Sequence, residues 1–170
     1  MLTTEMIERL FAELNAELER RNITGEVGIC GGAVMCLVFK TRCSTKDVDG
    51  IFAPAADMRE AIAAVGQTLD VAEDWLNDAA KGFFTGSPPT MDVATYSHLR
   101  VWAPTAEYML AMKCISARYD SYDKDDLVFL IEHLKLKKPD EVFDIIAKYY
   151  PEESVPVKTK FFVEELLQSG

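Results

Sequence analysis

The chain has 170 residues and carries 28 acidic against 18 basic side chains, which gives a formal net charge of −10. Its composition, 49% hydrophobic and 27% charged, is that of an ordinary globular protein long enough to bury one hydrophobic core, and it excludes fibrous and disordered classes. So acidic a chain repels phosphate backbones, which disfavours broad DNA binding, and no segment reaches the ~20 apolar residues of a membrane span.

The cysteines indicate a reducing compartment. Four occur without a CxxC pair, and the sequence holds only two histidines, so no zinc motif is present. Cys30, Cys36 and Cys114 lie in apolar runs and are expected to be small core residues. The acidic N-terminal segment lacks the basic stretch of a signal peptide. We therefore predict a cytoplasmic protein.

Periodicity predicts the elements of the first half of the chain. Apolar residues spaced four apart, from Met6 to Leu18, indicate a first helix that begins near Thr4. A short β-like run precedes Gly31-Gly32, and the wholly apolar run after it predicts a buried helix. The segments then expected are a strand over 48–52, a helix over 57–69 and a shorter helix over 73–80, the last with Trp75, Leu76 and Ala79 facing inward.

The second half is predicted to be mainly helical. The loop Gly86-Ser87-Pro88-Pro89 precedes two expected strands, 91–96 and 99–102. Helices are then expected over 105–118, 125–134, 140–149 and 158–168, separated by prolines. This order predicts an α+β fold: a small mixed β-sheet flanked by helices, with a helical C-terminal half. We expect a single domain over 1–170, with a sheet-containing core over 1–104 and a helical part over 105–170.

The first candidate functional feature is the pair Gly31-Gly32 between a strand and a helix. Glycine allows a backbone to approach a ligand closely, and a helix N-terminus presents N–H groups without intrahelical partners. Such a turn can hold a phosphate. A tight turn with only a structural role explains the same two glycines.

The second feature is the acidic pair Asp47 and Asp49. Residues two apart on a strand face the same side, about 7 Å from one another along the chain, and Val48 would then face the core. Two carboxylates on one face can bind one or two hard cations through oxygen. The structural alternative is an acidic strand end that simply contacts solvent.

In combination, Gly-Gly, a helix, a short linker and DxD at a strand start resemble the signature of the DNA polymerase beta-like nucleotidyltransferase superfamily. The stretch GGAVMCLVFKTRCSTKDVDGIF carries this signature. Within that superfamily the chain is similar to small prokaryotic nucleotidyltransferase-like proteins related to abortive-infection toxins. The segment LRVWAPTAEYMLAMKCISARYDSYDKDDLVFLIEHL has that group's strand, proline, Lys- and Arg-bearing helix and Lys-Asp-Asp pattern, and DWLND resembles one branch of it. The resemblance spans most of residues 25–136.

The resemblance implies roles for the residues of the first motif. Gly31 and Gly32 would hold the triphosphate of an incoming nucleoside triphosphate. Asp47 and Asp49 would coordinate Mg²⁺ (or Mn²⁺), which bridges the phosphates and activates the attacking hydroxyl. The superfamily usually has a third carboxylate on a later strand, and Asp92 is the candidate for it here, although it lacks a DxD-like context.

Further roles follow from the same resemblance. Lys113 would neutralise phosphate charge, and Asp125 or Asp126 would be a late acidic residue of the cleft. Arg42 and Thr45 match positions where the toxin relatives often carry Arg and Ser, so Thr45 is expected to contact the nucleotide. Without the resemblance, Lys113 is explained as a lysine at the edge of an apolar helix face whose ammonium reaches solvent.

The function implied is transfer of a nucleoside monophosphate from a nucleoside triphosphate to a protein or RNA acceptor, in a toxin–antitoxin or phage-defence setting. Without a clear third carboxylate, the alternative is a catalytically degenerate protein that binds a nucleotide or a cognate toxin or antitoxin protein. A purely structural interaction module that uses the acidic surface against a basic partner is a third explanation.

Overall fold

The structure is a computed structural model that describes residues 1–116 and 121–168. The chain divides into two compact units, the first comprising Met1–Gly82 and Thr90–Pro104 and the second Phe83–Pro89 and the chain from Thr105 onward. The strands are β1 (Leu2–Thr3), β2 (Gly25–Cys30), β3 (Ser44–Thr45), β4 (Val48–Ala53), β5 (Leu76–Asn77), β6 (Thr90–Thr95) and β7 (Leu99–Pro104). The helices are α1 (Thr4–Arg20), α2 (Gly31–Leu37), α3 (Ala55–Thr68), α4 (Ala106–Ser116), α5 (Ser121–His133), α6 (Pro139–Ala147) and α7 (Val157–Gln168).

The predicted α+β class is confirmed, and a mixed five-stranded sheet forms the centre of the first unit. Its strand order is β5-β4-β2-β7-β6. The central strand β2 runs antiparallel to β4 and parallel to β7, while β5 is parallel to β4 and β6 is antiparallel to β7. A separate two-stranded sheet joins β1 to β3. The sequence did not indicate β1 or β3, because two-residue strands carry no periodicity.

Helices α1 and α3 bury one face of the five-stranded sheet. Helix α1 begins where expected, because the Thr3 hydroxyl accepts a hydrogen bond from the Met6 N–H at 3.2 Å. A Cβ placed on Gly25 of β2 would lie 3.0 Å from Leu18 of α1 and 2.4 Å from Met58 of α3. Both helices therefore reach the central strand, and a side chain at Gly25 would require Met58 to shift.

The helix expected over 73–80 is wrong, because this segment pairs with the sheet edge. The Trp75 carbonyl accepts a hydrogen bond from the Val48 N–H at 2.7 Å, and the two residues that follow form β5. Trp75 is buried as expected, with its indole N–H donating to the Ile62 carbonyl at 3.0 Å, but Ala79 is exposed. Hydrogen bonds to the backbone of β4 outweigh the weak helical pattern of this short segment.

The second unit is built around α4, which packs against α5 and α6. All residues from Tyr108 to Cys114 are buried, as expected for a helix surrounded by others. The segment Phe83–Pro89 joins this unit because the Tyr108 hydroxyl accepts a hydrogen bond from the Thr85 N–H at 2.8 Å, and the Tyr150 hydroxyl donates to the Phe83 carbonyl. The expected end of α4 at Arg118 lies outside the described residues.

Within residues 1–116 and 121–168, no helix has the length and apolar character needed to cross a membrane. All four cysteines lie in these ranges. Cys30, Cys36 and Cys114 are buried as predicted, whereas Cys43 is exposed in the loop that leads into β3. Burial raises the pKa of the Cys114 thiol to about 12, since the thiolate form is disfavoured away from water.

We therefore expect Cys43 to be the one thiol alkylated by iodoacetamide in the folded protein at mildly alkaline pH. The buried thiols are shielded from the reagent, and Cys114 in addition stays protonated. Mass spectrometry after a short reaction should find a single adduct on the native chain and four adducts on the chain unfolded in guanidinium.

The variant Cys43→Ser is the control and should acquire no adduct while folded. Rapid modification of a second cysteine in the native protein would contradict the burial of that thiol.

Candidate functional site

The antiparallel pairing of β2 with β4 brings the end of one strand beside the start of the other. Cys30, the last residue of β2, pairs with Asp49, and the adjacent pair is Ile29 with Gly50. The Cys30 thiol lies 3.6 Å from the Asp49 carbonyl oxygen and donates to it. Because α2 begins directly after Cys30, the glycine turn and the acidic pair are neighbours.

Gly31 makes this approach close. Its φ of +60° lies in the left-handed region, which glycine adopts without the cost that a side chain would add. A Cβ at this position would lie 3.6 Å from Asp49 Oδ2. The glycine backbone therefore stands next to the carboxylate.

Gly32 is enclosed by two side chains of the loop that follows α2. A Cβ on Gly32 would meet Thr45 Oγ1 at 2.4 Å and Arg42 Nη1 at 3.1 Å. Thr45 is buried, and its strand β3 is held by pairing with Leu2 of β1. A hydroxyl and a guanidinium thus stand at the glycine turn.

The acidic pair flanks a buried residue, as predicted, but only Asp49 lies within the strand. Val48 is fully buried, while Asp47 and Asp49 on either side of it are half-buried. Since side chains alternate along a strand, Asp49 of β4 faces the side opposite the buried valine. Asp47 itself precedes β4, which begins at Val48.

Asn77 is a neighbour of this pair that the sequence did not indicate. It lies on β5 directly opposite Asp49, and its Nδ2 donates to Asp47 Oδ2 at 3.4 Å. Its Oδ1 accepts a hydrogen bond from the Ala79 N–H at 3.1 Å. The DWLND segment held the only signal for this residue, and a helix prediction there concealed its pairing with β4.

Asp92, the expected third metal ligand, does not join this site. It lies on β6, three strands away from β4, which corresponds to about 14 Å at the usual spacing of neighbouring strands. Its carboxylate instead binds Arg100 of β7, with Nη2 and Oδ1 separated by 2.8 Å. The strand order therefore removes Asp92 from any shared cation with Asp49.

Lys113 and the late acidic residues belong to the second unit, where they form a buried ion cluster. The Lys113 ammonium lies 2.7 Å from Asp123 Oδ1 and 2.9 Å from Asp126 Oδ2. The resemblance implied that either Asp125 or Asp126 lines the cleft, and Asp125 is exposed. With only 9% of Lys113 accessible, its ammonium does not reach solvent, and two carboxylates already balance its charge.

The electrostatics of Lys113 follow from this environment. Burial by itself lowers the pKa of the ammonium, but attraction to Asp126 and the hydrogen bond to Asp123 outweigh burial, so the pKa is raised above its ordinary value of 10.5. Lys113 is therefore protonated and stabilising at neutral pH.

The donors at the first-unit site suit a hard divalent cation. In the described part of the chain, no group of three or more His, Cys, Asp and Glu side chains is arranged to hold a metal. Asp47 and Asp49 offer carboxylate oxygens, the ligands that Mg²⁺ prefers, and Mg²⁺ commonly uses one or two protein carboxylates with substrate phosphates completing its shell. Two protein ligands therefore fit Mg²⁺ or Mn²⁺ better than zinc.

Comparison with known proteins found no matching family model, no matching curated protein and no matching solved structure. The function is therefore inferred from the residues and their arrangement.

Gly32→Ala is expected to destabilise the first unit, because the new methyl group would collide with Thr45 Oγ1. Overpacking of this kind costs about 1–3 kcal/mol. Urea unfolding followed by tryptophan fluorescence measures the loss.

Gly82→Ala is the matched control, since a Cβ there has no atom within 4 Å. We expect its unfolding free energy to equal or slightly exceed that of the wild type. Equal stability of the two variants would contradict the close packing described for Gly32.

Lys113→Met is expected to lower the stability of the second unit by about 3–5 kcal/mol, because it removes the ammonium that pairs with the carboxylates of Asp123 and Asp126 in a largely buried position. Since the pKa of Lys113 is raised on folding, its contribution is complete below pH 10.5 and is lost as pH rises through the higher folded-state value. Urea unfolding followed by circular dichroism measures both effects.

Lys148→Met provides the comparison, because Lys148 forms an exposed pair with Glu107 in the same unit. This substitution should lower the free energy of unfolding by less than about 1 kcal/mol. Similar losses for the two lysine variants would refute the buried cluster.

Proposed function

We propose that this protein is a metal-dependent nucleotidyltransferase that moves a nucleoside monophosphate from a nucleoside triphosphate to a protein or RNA acceptor. The observation that carries this proposal is the approach of Gly31 to Asp49, within 3.6 Å of the carboxylate at the Cβ position. A polyphosphate seated on the glycine turn would share a divalent cation with the acidic pair.

The residues of the first unit have separate roles in binding the phosphates and the cation. The Gly31-Gly32 backbone would allow phosphate oxygens to approach. The Arg42 guanidinium and the Thr45 hydroxyl lie at the same turn and would bind these negatively charged oxygens. Asp47 and Asp49 would hold Mg²⁺ or Mn²⁺. That cation would neutralise phosphate charge and orient the attacking and leaving oxygens.

The reaction balances without a further reagent. An acceptor hydroxyl attacks the α-phosphorus, a new phosphorus–oxygen bond forms, and the bond to the β-phosphate breaks to release pyrophosphate. The acceptor proton passes to solvent or to a site carboxylate. The demands on the protein are positioning and charge neutralisation, which this set of groups can meet.

The setting of the reaction follows from the motif resemblance and from the thiols. The resemblance to abortive-infection toxin relatives supports a toxin–antitoxin or phage-defence role, with a cognate protein as partner. Four cysteines present as thiols suit the reducing cytoplasm. Lys113 and Asp125 receive no catalytic role in this proposal, because Lys113 is already bound by two carboxylates and Asp125 is exposed.

A second candidate function is nucleotide binding without transfer, as in a degenerate antitoxin or regulator. The observation that favours it is Asn77, a neutral amide opposite Asp49 where a third carboxylate would complete the acidic set. With fewer carboxylates to bind the cation, the site would retain nucleotide binding more readily than catalysis.

The test of both candidates uses the double variant Asp47→Asn, Asp49→Asn. Wild-type protein incubated with α-labelled nucleoside triphosphates, Mg²⁺ and cell extract should transfer label to a macromolecule, and the double variant should lose at least about 100-fold of this rate. Calorimetry with the same nucleotides and Mg²⁺ measures binding separately.

A charge-matched control is the double variant Asp57→Asn, Asp70→Asn, which changes two exposed carboxylates of the same unit and should transfer label like the wild type. Transfer that survives in the Asp47, Asp49 variant would refute the assigned site. Nucleotide binding that depends on Mg²⁺, without label transfer, would support the second candidate function. Absence of both nucleotide binding and label transfer would refute both candidate functions.

A further inference from the structure

Helix α7 of the second unit is anchored along its inner face, and this fixes which of its residues face solvent. Thr159 and Val163, one turn apart, are fully buried, and the Thr159 hydroxyl donates a hydrogen bond to the Cys114 carbonyl of α4 at 2.9 Å. Phe162 lies on the flank of the helix, where the Lys124 ammonium of α5 is 6.0 Å from its ring centre. The opposite face of α7 is therefore its outer face.

That outer face carries two large apolar side chains. Val157 and Phe161, one helical turn apart, are 65% and 66% exposed. Scattered apolar residues are normal on a protein surface, whereas adjacent exposed ones are typical of a contact with another protein. Phe161 lies at the centre of this face, since the exposed residues Val157, Lys158, Glu165 and Gln168 surround it on the helix.

The charges beside Phe161 have opposite signs at the two ends of the outer face. Lys158 lies one turn towards the N-terminus and Glu165 one turn towards the C-terminus, and both are exposed. They project to the same side of Phe161, because the seven residues between them complete almost two turns. The outer face thus has a basic end, an aromatic centre and an acidic end.

We propose that this outer face binds the same face of a second copy of the chain, with the two α7 helices antiparallel. A twofold axis beside Phe161 brings the two phenyl rings together and places Lys158 of each copy against Glu165 of the other. The offsets agree, since at a rise of about 1.5 Å per residue Lys158 lies about 4.5 Å before Phe161 and Glu165 about 6 Å after it. A uniformly basic or acidic partner would match one end of the face, whereas an antiparallel second copy matches both.

The size of the outer face sets the expected strength of the association. One helix from each chain buries less surface than the ~1,600 Å² of a standard interface, so we expect a reversible dimer with a Kd of about 10–100 µM. The net charge of −10 on each chain opposes association. A salt concentration of about 0.15 M screens this repulsion beyond ~8 Å, and the paired charges lie closer than that distance.

Sedimentation equilibrium of the full chain at that salt concentration, from about 1 µM to 1 mM protein, tests the proposal. We expect Phe161→Ser to weaken the association by about 10-fold or more, because it removes the apolar centre. Lys158→Glu and Glu165→Lys should each weaken it by about 10-fold or more, because each places like charges opposite one another at both ends of the contact. All three residues are exposed, so circular dichroism and urea unfolding should show an unchanged fold.

Mixing the two charge variants tests the pairing of Lys158 with Glu165. In an equimolar mixture of Lys158→Glu and Glu165→Lys, opposite charges meet at both ends of the mixed dimer. The mixture should therefore associate like the wild type, although neither variant does so alone. The matched controls Lys137→Glu and Glu152→Lys make the same changes of charge at other exposed positions of the second unit, and they should dimerise like the wild type.

Each result decides for or against this contact. A wild-type chain that stays monomeric up to about 1 mM would overturn the proposal, as would a dimer unaffected by Phe161→Ser. Charge variants that dimerise like the wild type, or whose mixture associates no better than either alone, would overturn the antiparallel pairing. The variant Asp47→Asn, Asp49→Asn should dimerise normally, so failure of the nucleotide site and failure of this interface are separate outcomes.

Discussion

The hydrogen-bonded pairing of β2 with β4 is the constraint on which the candidate site depends. Two antiparallel strands in fixed register place the residue before the glycine turn opposite the second carboxylate, Cys30 against Asp49. A shift by one residue would turn Asp49 toward the helix-covered face and expose Val48, so burial of the valine enforces the register. Hydrophobic burial and the geometry of the candidate site therefore depend on the same pairing.

The composition of the site is better understood from its charges than from its motif alone. Two carboxylates next to each other repel, so the pair by itself does not stabilise the fold. The structure surrounds them with groups that moderate the repulsion, since Asn77 donates to Asp47 and Arg42 stands at the adjacent glycine turn. In the proposed function, a cation would complete this compensation, and a bound polyphosphate would bring its own negative charge toward Arg42.

The second unit follows a different principle, because its charged residues satisfy one another. Lys113, Asp123 and Asp126 form a largely buried cluster, in which removal of the lysine takes away the cation that both carboxylates bind. A sequence pattern of lysine followed by acidic residues thus supports the packing of α4 against α5. The segment Phe83–Pro89 belongs to the same unit, because the Thr85 N–H donates to the Tyr108 hydroxyl and the Tyr150 hydroxyl donates to the Phe83 carbonyl.

The sequence by itself determined the helices with long apolar stripes, such as α1, the strands around the glycine turn, and the acidic pair flanking a buried valine, because these depend on local periodicity and on side-chain alternation. Tertiary structure decided the rest. The segment 73–80 became a strand because β4 needed a backbone partner, which brought Asn77 to the acids. Strand order separated Asp92 from Asp49, and helix packing selected Asp126 over Asp125 for Lys113. These outcomes rest on hydrogen bonds and charges between residues distant along the chain, and no local pattern encodes them.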